Sequence, residues 1–264
     1  MSDAPVLLDV SPAGVAVITL NRPDKHNAFN AEVIARLSDT FETLRASEAG
    51  VRIVFLRGAG KSFSAGADLD WMKASALFTE ADNEEDAMAL ANMLKRLHEL
   101  PQLTVALVHG AAMGGGAGLL AACDVGVVMK DAQIRFSEVR LGLTPATISP
   151  YVVRAIGPRW ARALFATGEG FDGTFAEKIG LAQYTVETME EMAQMEEHLA
   201  KLAFSAAPGA VHDAKQLVDD VFGQEINHGL AVHTAKAIAR RRASEEGQEG
   251  LAAFLERRKP NWAE

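Results

Sequence analysis

The chain has 264 residues, 48% apolar and 23% charged, with a formal net charge of −9. That balance suits a globular chain of one large domain, or one domain with a smaller appendage. The acidic excess argues against nucleic acid as a main partner, because phosphate binding needs clustered Lys and Arg.

The elements follow in chain order. Val6–Val10 and Val15–Leu20 predict two short strands around the turn signal Ser11-Pro12-Ala13-Gly14. A polar loop over 21–27 leads to a helix whose stripe is Val33, Ile34, Leu37, Phe41 and Leu44. Residues 51–56 predict a buried strand, and 57–69 a small-residue loop directly after it. A helix over 79–99 has an acidic start, which suits its positive N-terminus, and a buried side of Leu90, Met93, Leu94 and Leu97. Residues 124–129 predict a strand, 134–136 a short extended piece and 137–141 one helical turn. Thr144-Pro145 opens a predicted helix to about Ile156, Gly157-Pro158 breaks it, and another runs to Thr167. A short helix over 176–179 and a strand over 184–186 end the alternation.

From Thr188 onward the pattern is helical, with Val211, Ala214, Val218 and Val221 at helical spacing and Ile226, Leu230 and His233 more loosely so. The alternation predicts an α/β core over residues 1–187, and 188–264 form a helical region that packs on the core or on another subunit. The basic runs Arg240-Arg-Arg and Arg257-Arg-Lys259 suit helix C-termini.

The most distinctive stretch is 103–123, which carries no formal charge. Its length and apolarity alone would allow a membrane helix, but its five glycines argue otherwise. Residues 105–108 form a β-branched run that predicts a buried strand, and Gly110 breaks it. Gly114, Gly115 and Gly116 suit a tight turn where backbone comes close to another group, and Leu119 to Cys123 read as the start of a buried helix. Strand, glycine turn and helix N-terminus together present free N–H groups that bind negative charge. Close helix packing through small residues is the other reading. Cys123 is the only cysteine, so it excludes an intrachain disulfide and a cysteine-built metal cluster and reads as a core thiol. Met-Ser-Asp-Ala-Pro at the start is not a secretory signal, so a cytoplasmic protein without membrane attachment is expected.

Two small-residue loops that each follow a strand can aim two N–H groups at one oxygen, as an oxyanion hole does. No Gly-x-Ser-x-Gly elbow, Walker loop or His-Glu-x-x-His motif is present, and position 119 is leucine, which breaks Gly-x-Gly-x-x-Gly. Ala65-Gly66-Ala67-Asp68-Leu69, His109-Gly110-x-x-Met-Gly114-Gly-Gly, Cys123-Asp124 and Ser137-Glu138-Val-Arg-Leu-Gly-Leu stand in order after Asn21-Arg22-Pro23 and Asn27-Ala28. This ordered set resembles the enoyl-CoA hydratase/isomerase (crotonase) family over roughly residues 15–160.

The resemblance implies an α/β spiral of ββα units with a helical C-terminal trimerisation region, and an assembly of one trimer or two. It implies an acyl-CoA thioester as substrate, with no metal and no redox cofactor. The N–H groups of Ala65 and Gly115 would hold the thioester oxygen as it becomes an enolate. Lys25, Ala65, Gly66, Ala67, Asp68, Leu69, Gly114 and Gly115 would bind the CoA moiety.

Many hydratases of the family carry two glutamates. The second matches Glu138, the expected proton carrier, although a helix N-terminal cap partner after Ser137 is its structural reading. The first would fall at Gly118, so an acid is missing there. The run Pro145-Ala-Thr-Ile-Ser-Pro-Tyr151 also departs from the family's usual glycine-rich segment. With Gly118 it resembles a bacterial branch of 3-methylglutaconyl-CoA and isohexenylglutaconyl-CoA hydratases, whose substrates carry a second carboxylate. Arg140 and Arg154 are the candidate cations for that group. Ser137, Thr144, Thr147 and Ser149 are the polar candidates near the missing acid. A Δ3,Δ2-enoyl-CoA isomerase using Glu138 alone, or an inactive acyl-CoA-binding scaffold, are the alternatives.

Overall fold

A computed structural model describes residues 4–46 and 50–263. Contacts divide the described residues into two compact units. One draws on Met1–Leu100 and Thr104–Glu196, the other on Pro101–Leu103 and Glu197–Glu264.

The first unit opens with strands β1 (Val6–Val10) and β2 (Val15–Leu20), paired antiparallel across the turn at Gly14. Helix α1 (Ala31–Ala46) buries all five residues of its predicted stripe. Strand β3 (Ile53–Gly58) lies parallel to β2 and starts later and ends later than predicted. Pairing decides this, because Thr19 and Leu20 of β2 continue to match Arg57 and Gly58. Helix α2 (Leu69–Ser75) was hidden in the predicted loop, and Asp68 caps it by accepting the N–H of Asp70 at 2.8 Å. Helix α3 (Glu80–His98) begins with a capping box between Thr79 and Asp82 and buries Met93, Leu94 and Leu97.

Strands β4 (Leu103–Val108) and β5 (Ala111–Met113) lead to helix α4 (Gly115–Ala122). The helix therefore starts at Gly115, before the predicted Leu119. The glycines serve both readings of this stretch: Gly114 makes the turn, and the next two open a helix packed too closely for side chains. Strands β6 (Val125–Met129) and β7 (Gln133–Arg135) follow, then a 3-10 turn over Glu138–Leu141. Helix α5 (Ser149–Thr167) starts later than the predicted Thr144-Pro145, with Pro150 in its first turn, where its missing N–H costs nothing. Gly157, at φ 73° and ψ 162°, breaks its helical path as expected. Strand β8 (Gly170–Phe171), helix α6 (Gly173–Ile179) and strand β9 (Tyr184–Val186) complete the alternation.

The six-stranded sheet runs β1-β2-β3-β4-β6-β9, and β5-β7-β8 form a second, small sheet. The apolar stripes of α1 and α3, the buried residues of α4 and the strand interiors form one core, with Phe29, Leu37, Phe41, Leu94, Val108, Leu119 and Phe136 at most 2% exposed. This is an α/β fold, with helices packed on a mixed sheet.

The unit boundary falls within helix α7 (Met189–Ser205). The second unit continues with α8 (Pro208–Val221), α9 (His228–Ala243) and α10 (Glu245–Glu256). The Val211, Ala214, Val218 and Val221 series makes no core there: no residue of α8 is buried, and Val218 is 63% exposed. Arg240, Arg241 and Arg242 fill the last turn of α9, as the dipole favours. Arg258 instead pairs with Glu249 and Glu256. No helix among the described residues is long and apolar enough to cross a membrane.

Candidate active site

The site is built where two small-residue loops meet behind β3 and β4. Ser64 joins them. Its N–H donates to the Ala111 carbonyl and its own carbonyl accepts the N–H of Met113, both at 2.9 Å. The fully buried Ser64 hydroxyl donates to the Asn27 carbonyl at 2.9 Å and accepts the Gly66 N–H at 3.3 Å. Asn27 is itself almost fully buried. Its amide donates to the carbonyls of Ala59 and Ser62, and its side-chain oxygen accepts the Arg22 N–H. Buried polar groups placed this way fix a loop, because leaving any one unpaired costs about 1–3 kcal/mol.

Gly66 takes φ +86°, which L side chains rarely adopt, and a Cβ there would lie 2.9 Å from the Met113 carbonyl oxygen. The first loop is thereby pressed against the strand that leads into the second. Phe29 makes a further join. Its N–H donates to the Gly66 carbonyl and its carbonyl accepts the Asp68 N–H, both at 2.7 Å. Its ring lies 3.0 Å from where a Cβ on Gly115 would sit.

This pairing corrects one sequence expectation. The Ala65 N–H donates to the His26 carbonyl at 2.9 Å, so it is not a free donor. The Ala67 N–H has no acceptor among the described residues. Phe29 bonds to the groups on either side of it and leaves Ala67 itself exposed. The Gly115 N–H is likewise without an acceptor, since it belongs to the first turn of α4. Two unspent N–H groups are thus brought together through Phe29.

The Asp68 carboxylate is also committed internally. It is buried, accepts the Arg22 guanidinium at 2.8 Å, and caps α2. Burial works against its charge, but the Asp70 N–H and the Arg22 hydrogen bond outweigh it and hold its pKa below the usual carboxylate range. Asp68 therefore shapes the loop and leaves no carboxylate to meet a CoA group. Leu69 is 73% exposed. Lys25 is exposed and pairs with Asp70 at 3.2 Å.

Gly114 turns the chain into α4 at φ +46°, and its N–H donates to the Arg135 carbonyl at 3.0 Å. A Cβ on Gly114 would lie 3.2 Å from Glu138 Oε1, so the Glu138 carboxyl stands beside the start of α4, next to Gly115. Its Oε2 is buried and has no hydrogen-bond partner among the described residues. The Ser137 side chain makes no cap hydrogen bond, and so the expected capping arrangement at this turn is absent. Burial pushes the Glu138 carboxyl up from the ordinary glutamate range, against a smaller lowering by a backbone hydrogen bond. A carboxyl so placed holds its proton to higher pH than an exposed one and can give or take it.

Gly118 follows one helical turn after Gly114, whose carbonyl accepts its N–H at 3.0 Å. A Cβ on Gly118 would lie 2.3 Å from Ile148 Cγ2. Two of the polar candidates are placed elsewhere. The Ser149 hydroxyl donates to the Ala146 carbonyl at 2.8 Å, and Thr144 is exposed. Arg140 and Arg154 are both exposed, and Arg140 packs on the backbone of Gly168. Sequence reading placed Ala67 only among the CoA-binding residues and did not single out Phe29, Ser64 or Ile148. The paired alanines around Gly66 were visible, but which N–H stays free depends on the carbonyls of His26 and Phe29.

The enoyl-CoA hydratase/isomerase family model matches residues 11–264. Among solved structures, a Legionella pneumophila protein provisionally described as an enoyl CoA hydratase/isomerase (crotonase) is 43% identical. It superposes with a TM-score of 0.92 and covers 99% of this chain and 100% of that one. An enoyl-CoA hydratase from Shewanella pealeana is 37% identical, with a TM-score of 0.94 and coverage of 98% and 96%. The short-chain-enoyl-CoA hydratase of Clostridium acetobutylicum is 31% identical over 247 residues, 93% of this chain and 92% of that protein. The chain belongs to the enoyl-CoA hydratase/isomerase family, a family of enzymes.

Proposed function

We propose that the protein is an enoyl-CoA hydratase-type lyase that adds water to a branched or carboxylated 2-enoyl-CoA, such as 3-methylglutaconyl-CoA, using Glu138 as its one acid–base group. The observation that carries this reading is the partner-free Glu138 Oε2, buried beside a helix start whose Gly115 N–H is unspent. Hydration moves charge onto the thioester oxygen as hydroxyl adds to Cβ. The N–H groups of Ala67 and Gly115 hold that oxygen, and the enolate then takes a proton at Cα. Preformed donors suit this step because they need no reorganisation as charge develops. Glu138 carries the proton, and its raised pKa matches the task. No metal or redox cofactor enters the scheme. The CoA moiety runs along 65–69 and Gly114, with Lys25 nearby, and the helical region 188–264 joins subunits into a trimer or a dimer of trimers in the cytoplasm.

The test is loss of the conjugated thioester absorbance when purified protein meets 3-methylglutaconyl-CoA. Turnover of crotonyl-CoA without turnover of 3-methylglutaconyl-CoA would overturn the substrate assignment. A single carboxylate also favours a second reading, Δ3,Δ2-enoyl-CoA isomerisation, in which one group moves a proton between two carbons. Reaction in ¹⁸O-water separates the two, since isomerisation incorporates no label.

A further inference from the structure

We propose that Ile148 is a specificity-determining residue that keeps this site to a single carboxylate, by filling the volume a side chain at position 118 would need. The inference rests on the one-acid reading above and says what enforces it.

Positions 114 and 118 share one face of α4, a turn apart. Position 114 faces the Glu138 carboxyl: a Cβ on Gly114 would be 3.2 Å from Oε1. Position 118 faces Ile148. A Cβ on Gly118 would be 2.3 Å from Ile148 Cγ2, 3.0 Å from Ile148 Cβ and 3.8 Å from Leu94 Cδ1. A side chain at 118 would rise one turn along the same face from position 114, which meets Glu138. An isoleucine methyl occupies that space.

Ile148 has little room to give way. It is 1% exposed, and its carbonyl accepts the N–H groups of Tyr151 and Val152 at the start of α5, at 3.2 and 3.1 Å. A β-branched side chain is stiff at χ1. The packing that excludes a second carboxylate also lines that side with the hydrocarbon of Ile148 and Leu94, where a charged group finds no partner. A linear enoyl-CoA whose hydration needs two carboxylates is therefore served poorly, and Glu138 alone must move the proton.

Two experiments test this. The first is a thermal-unfolding cycle of Gly118→Ala and Ile148→Ala. Gly118→Ala is expected to lower Tm by about 5 °C when Ile148 is present, as overpacking does, and to cost much less alongside Ile148→Ala. An equal cost in both backgrounds would overturn the proposal. The other is hydration of crotonyl-CoA, followed by ¹⁸O incorporation. Gly118→Glu combined with Ile148→Ala is expected to exceed the wild type and both single variants by about tenfold or more. A double variant no faster than Gly118→Glu alone would refute Ile148 as the excluding residue. Failure of the wild type on 3-methylglutaconyl-CoA would sink the substrate reading above, while the crotonyl-CoA comparison would still decide the role of Ile148.

Discussion

The two small-residue loops reach the same end by opposite means. The loop at Ser64–Ala67 is held by polar side chains and carbonyls: the carbonyls of His26 and Ala111 and the Ser64 hydroxyl take up its N–H groups, and among the described residues the Ala67 N–H is the one left over. The loop at Gly114–Gly118 is held by shape. Its glycines admit Phe29, Ser64, Glu138 and Ile148 where side chains would stand, and its free N–H groups come from the helix start. An unspent N–H is thus a remainder in one loop and a property of the secondary structure in the other. The first should be sensitive to loss of a hydrogen-bond partner, the second to added volume.

The largest expected effect lies on the group both loops serve. Glu138→Gln should lower turnover by about 10²–10⁴-fold while CoA binding, measured by calorimetry, persists. Unchanged turnover would remove Glu138 from the chemistry. The same substitution should change stability with a definite sign. A carboxyl whose folded pKa is raised binds more protons folded than unfolded, so it lowers stability as pH rises from the ordinary glutamate value to the raised one. Wild type should lose stability across that window relative to Glu138→Gln, read as denaturation midpoints against pH.

Gly66→Ala comes next, with an expected loss in kcat of about 10²-fold, because a Cβ 2.9 Å from the Met113 carbonyl must displace the Ala67 N–H beside it. Wild-type kinetics in this variant would show that the donor sits elsewhere. Ser64→Ala should cost less, about tenfold in kcat with KM little changed, since it leaves the Gly66 N–H unpaired without adding volume. A larger effect on KM than on kcat would make Ser64 a binding group instead of a positioning one. The smallest effect is expected at Lys25→Ala. Its exposed pair with Asp70 is worth little to stability, so a rise in KM of about 2–5-fold for the CoA substrate is the readout.

Much of the fold could be read from local pattern. The stripe Val33, Ile34, Leu37, Phe41 and Leu44 all went inside, because a helix that covers a sheet has one period and one apolar face. The break at Gly157-Pro158 was equally local. The misses have a shared cause. Helix α5 begins beyond the predicted Thr144-Pro145, and α2 hid behind a capping aspartate in a small-residue loop. Each depends on what packs against the element.

For the site, the sequence by itself determined the residue types: two small-residue loops, one glutamate, and a glycine where a second acid would stand. These are chemical identities at fixed places along the chain. Only the tertiary structure decided which N–H groups are left unspent, that of Ala67 and not that of Ala65, because the distant His26 carbonyl accepts the Ala65 N–H and Phe29 bonds to the groups on either side of Ala67. It also decided what the absence at Gly118 means. Sequence shows a missing side chain, and the fold shows that Ile148 has taken its volume, which no pattern along the chain can specify.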